Sequence, residues 1–591
     1  MGSDPFLRVV EVAKRGKLVT GDPFFTPGTP IVLDRHTLAD ARPGDLAVVR
    51  PGRGRARVES VLGPASAIES VLEGLLVERG ARVPYEPHTL PVPSLEGRTD
   101  LRDLLAFTID PETAKDFDDA ISVRPEGDGL RAWVHIADVS HFVPAGSALD
   151  RGAAGRAFSV YVPGRVAPML PPELADEACS LRPHQDRLCV TVEVPFGADL
   201  EAGEPVFYRS VIRSRARLTY GLAEGILAGR EQADEDLAGA LRLAERLALE
   251  LRRRRFARRA LRIEIGEITF AFDGRGGVER AWRESEPHAH SLVEELMILA
   301  NEAVAGLLAG RRREALYRVH ERPDPQAVLL LLAKLAELRV PTPPAPEPDR
   351  LGPAEAARLA AAVGERVTEY VAQSGRGREA FPALVLRSLK QARYHPENLG
   401  HSGLASPAYC HFTSPIRRYP DLVVHRALLH ELGVGDDPLP EQLDQLAEHT
   451  SGRERAAAQI EYLADELCLA WLLEARLFEL GWEASFEGEI IGAIGSGLFV
   501  RFGDIFEGFL PARRLPGDYF ELNPLGTALK GRRSGTTYHL GDPIEVRVEG
   551  IRRSEGKVEL SLPTSAPSRP DRSGAQPQAR APRRGRRKDR S

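Results

Sequence analysis

Four aspartates fall within ten residues of the stretch FTIDPETAKDFDDAISV, between two apolar pieces that read as strands. If the chain stays extended, Asp116 and Asp118 point to one side and Asp119 to the other, because side chains alternate. Bringing these three together with Asp110 demands a loop that curls, and Pro111 favours such a turn. Four carboxylates this close repel one another unless a cation neutralises them. A donor set made only of oxygen favours Mg²⁺ or Mn²⁺ over zinc. The glycine and distal glutamate of an EF-hand are absent at their required spacing. The alternative is a solvated acidic loop without a ligand, which fits poorly with apolar Phe117 and the strand-like flanks.

A second constellation is HFTSPIRRYPDLVVHR, residues 411–426. Pro415 restrains the turn before the adjacent Arg417 and Arg418, and DLVVHRALLH then has a helical pattern. Paired guanidiniums beside an acidic metal site are what phosphoryl transfer needs, since arginine offsets charge developing on the phosphate. An ordinary Arg–Asp surface network is the competing reading.

Seven blocks, in order, then resemble one family: DPETAKDFDDA, VHIADVSHFV, SVYVPGRVAPMLPPELADEACSL, HAHSLVEELMILAN, YRVHERP, QARYHPENLGHSGL and HFTSPIRRYPDLVVHR. They look like the signatures of the ribonuclease II/ribonuclease R exoribonucleases and cover roughly residues 99–480. The resemblance implies a processive 3′-to-5′ hydrolytic exoribonuclease that releases nucleoside 5′-monophosphates from single-stranded RNA with a free 3′ end. It makes Asp110, Asp116, Asp118 and Asp119 the Mg²⁺-site aspartates, with Mn²⁺ as the other candidate ion, and Asp118 the most activity-critical of them. It makes Tyr161 a base-stacking residue near the 3′ end and Arg417 the support of the scissile phosphate, with Arg418 beside it on RNA. Glu461, in AAAQIEYLADEL, is the best match for a helical glutamate near that end.

Several positions depart from the family pattern. The family's GHFGL reads GHSGL here, with Ser402 in place of the aromatic. No second stacking aromatic follows His320, whose successors are Glu321, Arg322 and Pro323. His135, His141 and His401 lie inside motifs without ligand-like spacing and read as structural hydrogen-bonders.

The organisation expected is multidomain α+β. A small N-terminal nucleic-acid-binding domain over 1–82 is OB-like (cold-shock type) or winged-helix, with β-rich residues 18–62, a helix over 66–80 and a further helix over 5–15 that would favour the winged form. Four prolines make 83–98 a linker. The central mixed α/β catalytic domain spans 99–480, with helices over 232–259 and 437–479 and a surface connection over 341–350. An S1-type RNA-binding OB barrel spans 481–563. There Phe499, Phe502 and Phe509 are candidate stacking surfaces, and Arg501, Arg547, Arg552 and Arg553 candidate phosphate contacts. The family usually carries two cold-shock-type domains before the catalytic region, whereas about 95 residues precede it here.

Charge is distributed unevenly. The formal net charge is −6, yet residues 564–591 hold nine Arg or Lys against two Asp, a net +7, in a Pro- and Ser-rich stretch expected to be disordered. That tail reads as a non-specific electrostatic tether to RNA. No apolar run approaches the ~18–20 residues of a membrane span, and the N-terminus shows no apolar signal region. Four scattered cysteines without a CxxC pair argue against a disulfide framework and fit a reducing cytoplasm. A P-loop, HExxH and GxSxG are all missing, so a nucleotide cofactor or serine-hydrolase chemistry has no support. A monomer without membrane partners is expected. Two other readings are kept open: a non-catalytic RNA-binding protein with the same fold, which loss of an aspartate would have favoured, and a metal-dependent DNA nuclease.

Overall fold

The computed structural model describes residues 7–563 except 39, 264–265, 275, 284–287 and 348–350; the basic tail lies outside the described residues. Strands β1 (Arg8–Arg15), β2 (Leu18–Pro23), β3 (Ile31–Val32), β4 (Asp45–Arg50) and β5 (Arg57–Pro64) form one sheet in the order β3-β2-β1-β4-β5. A parallel bridge, Leu33 to Ala56, joins the two outer strands' neighbours and gives the pairing order of an OB barrel. The segment expected to be helical near residues 5–15 is therefore a strand, and the winged-helix alternative falls with it. Consecutive Val9 and Val10 explain why. Val10 and Val12 face an interior with Leu33, Ala47, Val49 and Val58, while Val9 faces helix α1 (Ile68–Glu78) on the other side. A β-branched run buried on both faces suits a strand better than a helix.

The central sheet has seven strands. They are β6 (Thr99–Asp100), β7 (Phe107–Asp110), β8 (Asp119–Glu126), β9 (Gly129–Ala137), β12 (Asp186–Phe196), β13 (Val206–Arg213) and β14 (Ala216–Thr219), in the order β14-β7-β8-β9-β12-β13-β6. The small hairpin β10 (Val160–Val162) and β11 (Arg165–Ala167) stands apart from it. From Ala132 to Ala137 every residue of β9 is buried, as befits a strand covered on both faces. Helices α2 (Tyr220–Leu227), α3 (Glu235–Ala257) and α4 (His288–Gly310) pack on this sheet, α5 (Tyr419–Glu431) packs on α4, and α6 (Leu443–Leu480) packs on β10 and on α1. Helix α6 begins six residues later than the sequence pattern suggests, because Pro438 and Pro440 hold the preceding segment out of the α region. Its 38 residues span about 57 Å, from the central domain to the C-terminal barrel.

That barrel is closed by five strands, Ser485–Ile494, Gly497–Phe502, Phe506–Pro511, Pro543–Arg552 and Lys557–Ser561. A three-stranded sheet over Phe520–His539 is inserted between its third and fourth strands. The barrel is tied to the central domain by polar contacts: Arg376 meets Asp542 at 3.0 Å, and Glu489 accepts from the backbone N–H of Arg378 at 2.9 Å. No described helix is long and apolar enough to cross a membrane.

Candidate active site

The acidic loop joins β7 to β8 at the edge where β14 pairs in parallel, with Thr219 opposite Asp110. Its shape is held by its neighbours. Ser180 Oγ donates to the Lys115 carbonyl (2.7 Å) and accepts from the Phe117 N–H (3.0 Å), while Leu181 N–H donates to the Phe117 carbonyl. Arg217 donates to the carbonyls of Pro111 and Glu112 and lies over the Phe117 ring. Phe117 is buried, so the loop is a packed element rather than a solvated one.

The arginine motif meets this loop from 298 residues away in sequence, at Ile416. Asp118 is 3% exposed; its Oδ1 accepts from Ile416 N–H at 2.8 Å and its Oδ2 from Arg417 Nε at 3.3 Å. The Arg417 Nη2 also donates to Ser414 Oγ at 3.1 Å, yet the side chain is still 46% exposed. Ser159 N–H donates to the Arg417 carbonyl at 2.9 Å, which brings the segment carrying Tyr161 alongside. Tyr161 then links two acids: its hydroxyl donates to Asp116 Oδ2 at 2.8 Å, and its backbone N–H donates to Glu461 Oε1, also at 2.8 Å. Asp110, Asp116, Asp118, Asp119, Tyr161, Arg417 and Glu461 are thus assembled in one region.

Arg418 turns away from it. It grips the fully buried Asp421 at 2.7 and 3.0 Å, and Asp421 also accepts from Ser414 N–H. Asp421 sits in the first turn of α5, where a carboxylate also suits the helix dipole. Sequence reasoning missed this residue; its signal is the i, i+3 spacing from Arg418 within RRYPD. Tyr220 was missed as well. It follows Thr219, and burial together with the Asp119 and Asp110 carboxylates raises the pKa of its hydroxyl. Only the register of β14 on β7 places it here.

The electrostatics of the cluster are those of a site short of positive charge. Burial, with the nearby Asp116 carboxylate, raises the pKa of Asp110 to about 6, and burial followed by the Asp110 carboxylate raises that of Asp119 to about 7. Burial holds the pKa of Asp118 well above the usual carboxylate range despite the opposing pull of Arg417. Asp110 Oδ2 is buried with no hydrogen-bond partner, an expensive state that a cation would relieve. The chemistry of the donors therefore fits a hard divalent ion. Among the described residues, however, no three carboxylates converge at ligating distance, since Asp116 and Asp118 are turned onto Tyr161, Ile416 and Arg417.

The motif histidines sit in hydrogen bonds. His135 lies between Ser122 and Thr191, His141 contacts the Val92 carbonyl, and His401 accepts from Leu404 N–H. In the C-terminal barrel Phe499 and Phe509 lie 5.2 Å apart by ring centroids and are part-exposed. Phe502 is 1% exposed and belongs to the barrel core, which removes it as a stacking surface. Arg501 is held by Glu379 and Glu507, Arg547 by Glu483 and Glu549, Arg552 by Glu555 and Arg553 by Glu474.

Comparison with known families matches residues 98–433 to the RNB domain. The chain belongs to the ribonuclease II/ribonuclease R (RNB) family. Residues 480–562 match the S1 RNA-binding domain. Ribonuclease R of Escherichia coli K12 is 38% identical over 494 residues, covering 80% of this chain and 58% of that protein. Ribonuclease R of Thermotoga maritima is 35% identical over 548 residues, covering 87% and 73%. The chain thus spans less than two thirds of the length of the E. coli relative. Among solved structures, Mycoplasma genitalium RNase R in complex with ribose-methylated single-stranded RNA superposes with a TM-score of 0.83 at 25% identity, over 94% of this chain and 89% of that one. RNB membership implies a requirement for a divalent metal, in keeping with the unpartnered carboxylate oxygen of Asp110.

Proposed function

We propose that this RNB protein is a processive 3′-to-5′ hydrolytic exoribonuclease that degrades single-stranded RNA from a free 3′ end to nucleoside 5′-monophosphates. The observation that carries the reading is the joining of Asp118 to Ile416 N–H and Arg417, which couples the acidic loop to the arginine motif at one point. Asp110, Asp116, Asp118 and Asp119 would hold the cation, Mg²⁺ with Mn²⁺ as a substitute. When bound, such an ion lowers the pKa of water and stabilises the departing 3′-oxygen.

The chain's own groups do the rest. Arg417, fixed through its Nε on Asp118 and its Nη2 on Ser414, offers the exposed remainder of its guanidinium to the scissile phosphate and offsets the charge that develops there. Tyr161, 37% exposed and held at both its hydroxyl and its backbone, presents a ring on which the terminal base stacks. Glu461 fixes that segment and so acts as a positioning residue. The S1-type barrel, with the Phe499–Phe509 face, and the N-terminal OB-type barrel would guide the strand. Division of the chain at about residues 82, 98, 480 and 563, a cytoplasmic setting and a monomeric state belong to the same proposal.

The test uses a 5′-labelled RNA of about 30 nucleotides and its DNA analogue, with Mg²⁺ and with chelator, resolved on a sequencing gel. Metal-dependent shortening of the RNA from its 3′ end, with DNA left whole, is the expected result. RNA that stays whole in every metal, yet is retarded in a binding gel, would replace this reading with a non-catalytic RNA-binding role.

A further inference from the structure

Tyr161 sits on a hairpin whose two short strands, β10 and β11, form a sheet of their own. A two-stranded hairpin is marginally stable in water by itself, so its place is set by what grips it from outside. In its register Val160 stands opposite Ala167, Tyr161 opposite Val166 and Val162 opposite Arg165. The Tyr161 N–H donates outward, to Glu461 of α6 at 2.8 Å. On the facing strand the Val166 carbonyl accepts from Arg82 Nη1, also at 2.8 Å. One cross-strand pair is thus held at both outer edges, by α6 on one side and by a residue of the N-terminal region on the other.

Arg82 is itself locked. Its Nε and Nη2 donate to the two carboxylate oxygens of Glu73 on α1, at 2.8 and 3.0 Å. Two parallel bonds from one guanidinium to one carboxylate fix direction as well as distance. Glu73 Oε2 also accepts from Arg165 Nη1 at 3.3 Å, and Arg165 closes the hairpin opposite Val162. Burial pushes the Glu73 pKa up, but Arg82 and then Arg165 outweigh it and hold the carboxyl below its ordinary range. The carboxylate is therefore charged at neutral pH and grips both arginines. All three side chains are between 23% and 32% exposed, so water screens these pairs in part, and they contribute direction more than energy.

Helix α1 carries the grip to the N-terminal barrel. Its buried residues Ile68, Val71, Leu72 and Leu75 share one core with Val9, Leu46 and Val48 of the barrel strands. The same helix packs on α6 and on β11. A continuous set of packed and charged groups therefore runs from the barrel, through Glu73 and Arg82, to the strand that faces Tyr161.

We propose that Glu73 and Arg82 are positioning residues: they hold the hairpin so that the N-terminal domain sets the ring on which the 3′-terminal base of the RNA stacks. The inference rests on the exoribonuclease reading only for the role of Tyr161. The test is fluorescence anisotropy of the full chain, in chelator so that RNA stays whole, with two single-stranded RNAs of about 12 nucleotides. They share one sequence, but in one of them the 3′-terminal nucleotide lacks its base. The chains compared are the unaltered one, Arg82→Met, Glu73→Gln, Tyr161→Ala, Arg82→Met/Tyr161→Ala and, as a control that breaks a different ion pair of α1, Arg8→Met.

The unaltered chain is expected to favour the complete RNA about tenfold, the scale of one base stacked on an aromatic ring, and Tyr161→Ala to lose that preference. Arg82→Met and Glu73→Gln should each cut the preference about threefold or more, with affinity for the RNA lacking the base within about twofold, whereas Arg8→Met keeps it. Adding Arg82→Met to Tyr161→Ala should change nothing further, because both act through one ring. A preference that survives Arg82→Met and Glu73→Gln, an equal loss on both RNAs, or full additivity with Tyr161→Ala overturns the proposal. Should Arg82→Met melt lower than the unaltered chain, Glu73→Gln, which keeps the side-chain volume, is judged by the same readings. Hydrogen exchange over residues 160–167 is followed on the same chains, and faster exchange in Arg82→Met and Glu73→Gln than in Arg8→Met is expected. An unaltered chain that does not distinguish the two RNAs removes the stacking role of Tyr161; exchange alone then judges the hold on the hairpin, and unchanged exchange overturns it. RNA hydrolysis in Mg²⁺ is read separately: an inert unaltered chain removes the exoribonuclease reading and leaves the binding result standing.

Discussion

The acidic loop and the C-terminal barrel both display charged residues of the types that handle RNA, but they treat those charges in opposite ways. In the loop Asp110 Oδ2 has no hydrogen-bond partner, burial and the Asp116 carboxylate raise the pKa of Asp110, burial and the Asp110 carboxylate raise that of Asp119, and Arg417, although paired with Asp118, stays half exposed. In the barrel Arg501, Arg547, Arg552 and Arg553 each already face a glutamate. Charges left unsatisfied at a cost in stability mark a place where a ligand completes the site, whereas neutralised charges need nothing further. Residue type alone does not distinguish the two cases; the partners do.

The largest effect expected from this contrast is at Asp118. Asp118→Asn keeps the volume and the bond from Ile416 N–H but removes the charge facing Arg417. Hydrolysis should fall on the order of 10³-fold or more, with RNA affinity within a few-fold of the unaltered chain. Single-turnover rates and a binding gel check both halves, and near-normal turnover would show that the site lies elsewhere.

Asp421 comes next, as a buried charge that is satisfied rather than vacant. Asp421→Ala leaves Arg418 without its partner and Ser414 N–H without its acceptor. Breaking a buried pair from one side costs about 3–5 kcal/mol. Denaturant melts should show that loss, and kcat should fall because Arg417 is the residue just before Arg418. Adding Arg418→Met to Asp421→Ala should recover part of the stability but not the rate. Recovery of both would mean that the pair does not position Arg417.

At Asp119 the contrast predicts an opposite sign. Its pKa in the folded chain is pushed up to about 7, from an ordinary value near 3.8. The folded state thus holds a proton that the unfolded chain has lost, and metal-free stability falls as pH rises from about 4 through 7. Asp119→Asn removes that penalty. In chelator at pH 8 the variant should be more stable by roughly 1–3 kcal/mol, with little difference at pH 4, while hydrolysis in Mg²⁺ collapses. Equal melting temperatures for the two chains at pH 8 would remove the electrostatic account of the cluster.

The motifs were legible because they are local. DPETAKDFDDA, SVYVPG and TSPIRRY each carry their residues within a short span, and the alternating GLFVRF and EGFLP pieces announce two strands of the barrel. What was not legible depends on distant pairing. The strand at Arg8–Arg15 is decided by Val9 and Val10 being buried against different partners, α1 and the barrel interior. Tyr220 reaches the site through strand register, and Arg418 looked like an RNA contact until Asp421 was seen beneath it. Phe502 and Phe499 are only three residues apart, and just the closed barrel separates a core ring from a surface one.

The smallest effect belongs to Arg501, and it sharpens the comparison from the barrel side. Its guanidinium lies between Glu379 at 3.1 Å and Glu507 at 3.3 Å, with one N–H donated to the Ile505 carbonyl. Glu379 lies outside the barrel, at the cap of the helix Ala380–Arg387, so the pair ties the barrel to the central domain. A phosphate would have to displace two carboxylates to reach this arginine. Arg501→Gln should therefore change RNA affinity less than twofold at 0.15 M salt. The loss in stability should be about 1 kcal/mol, in line with a partly exposed ion pair. Phe499→Ala/Phe509→Ala, which removes part-exposed rings, should weaken RNA binding more than Arg501→Gln does. If Arg501→Gln instead costs tenfold in affinity and flattens the salt dependence, an arginine already paired in the folded chain still contacts phosphate. Pairing would then no longer serve to tell the two regions apart.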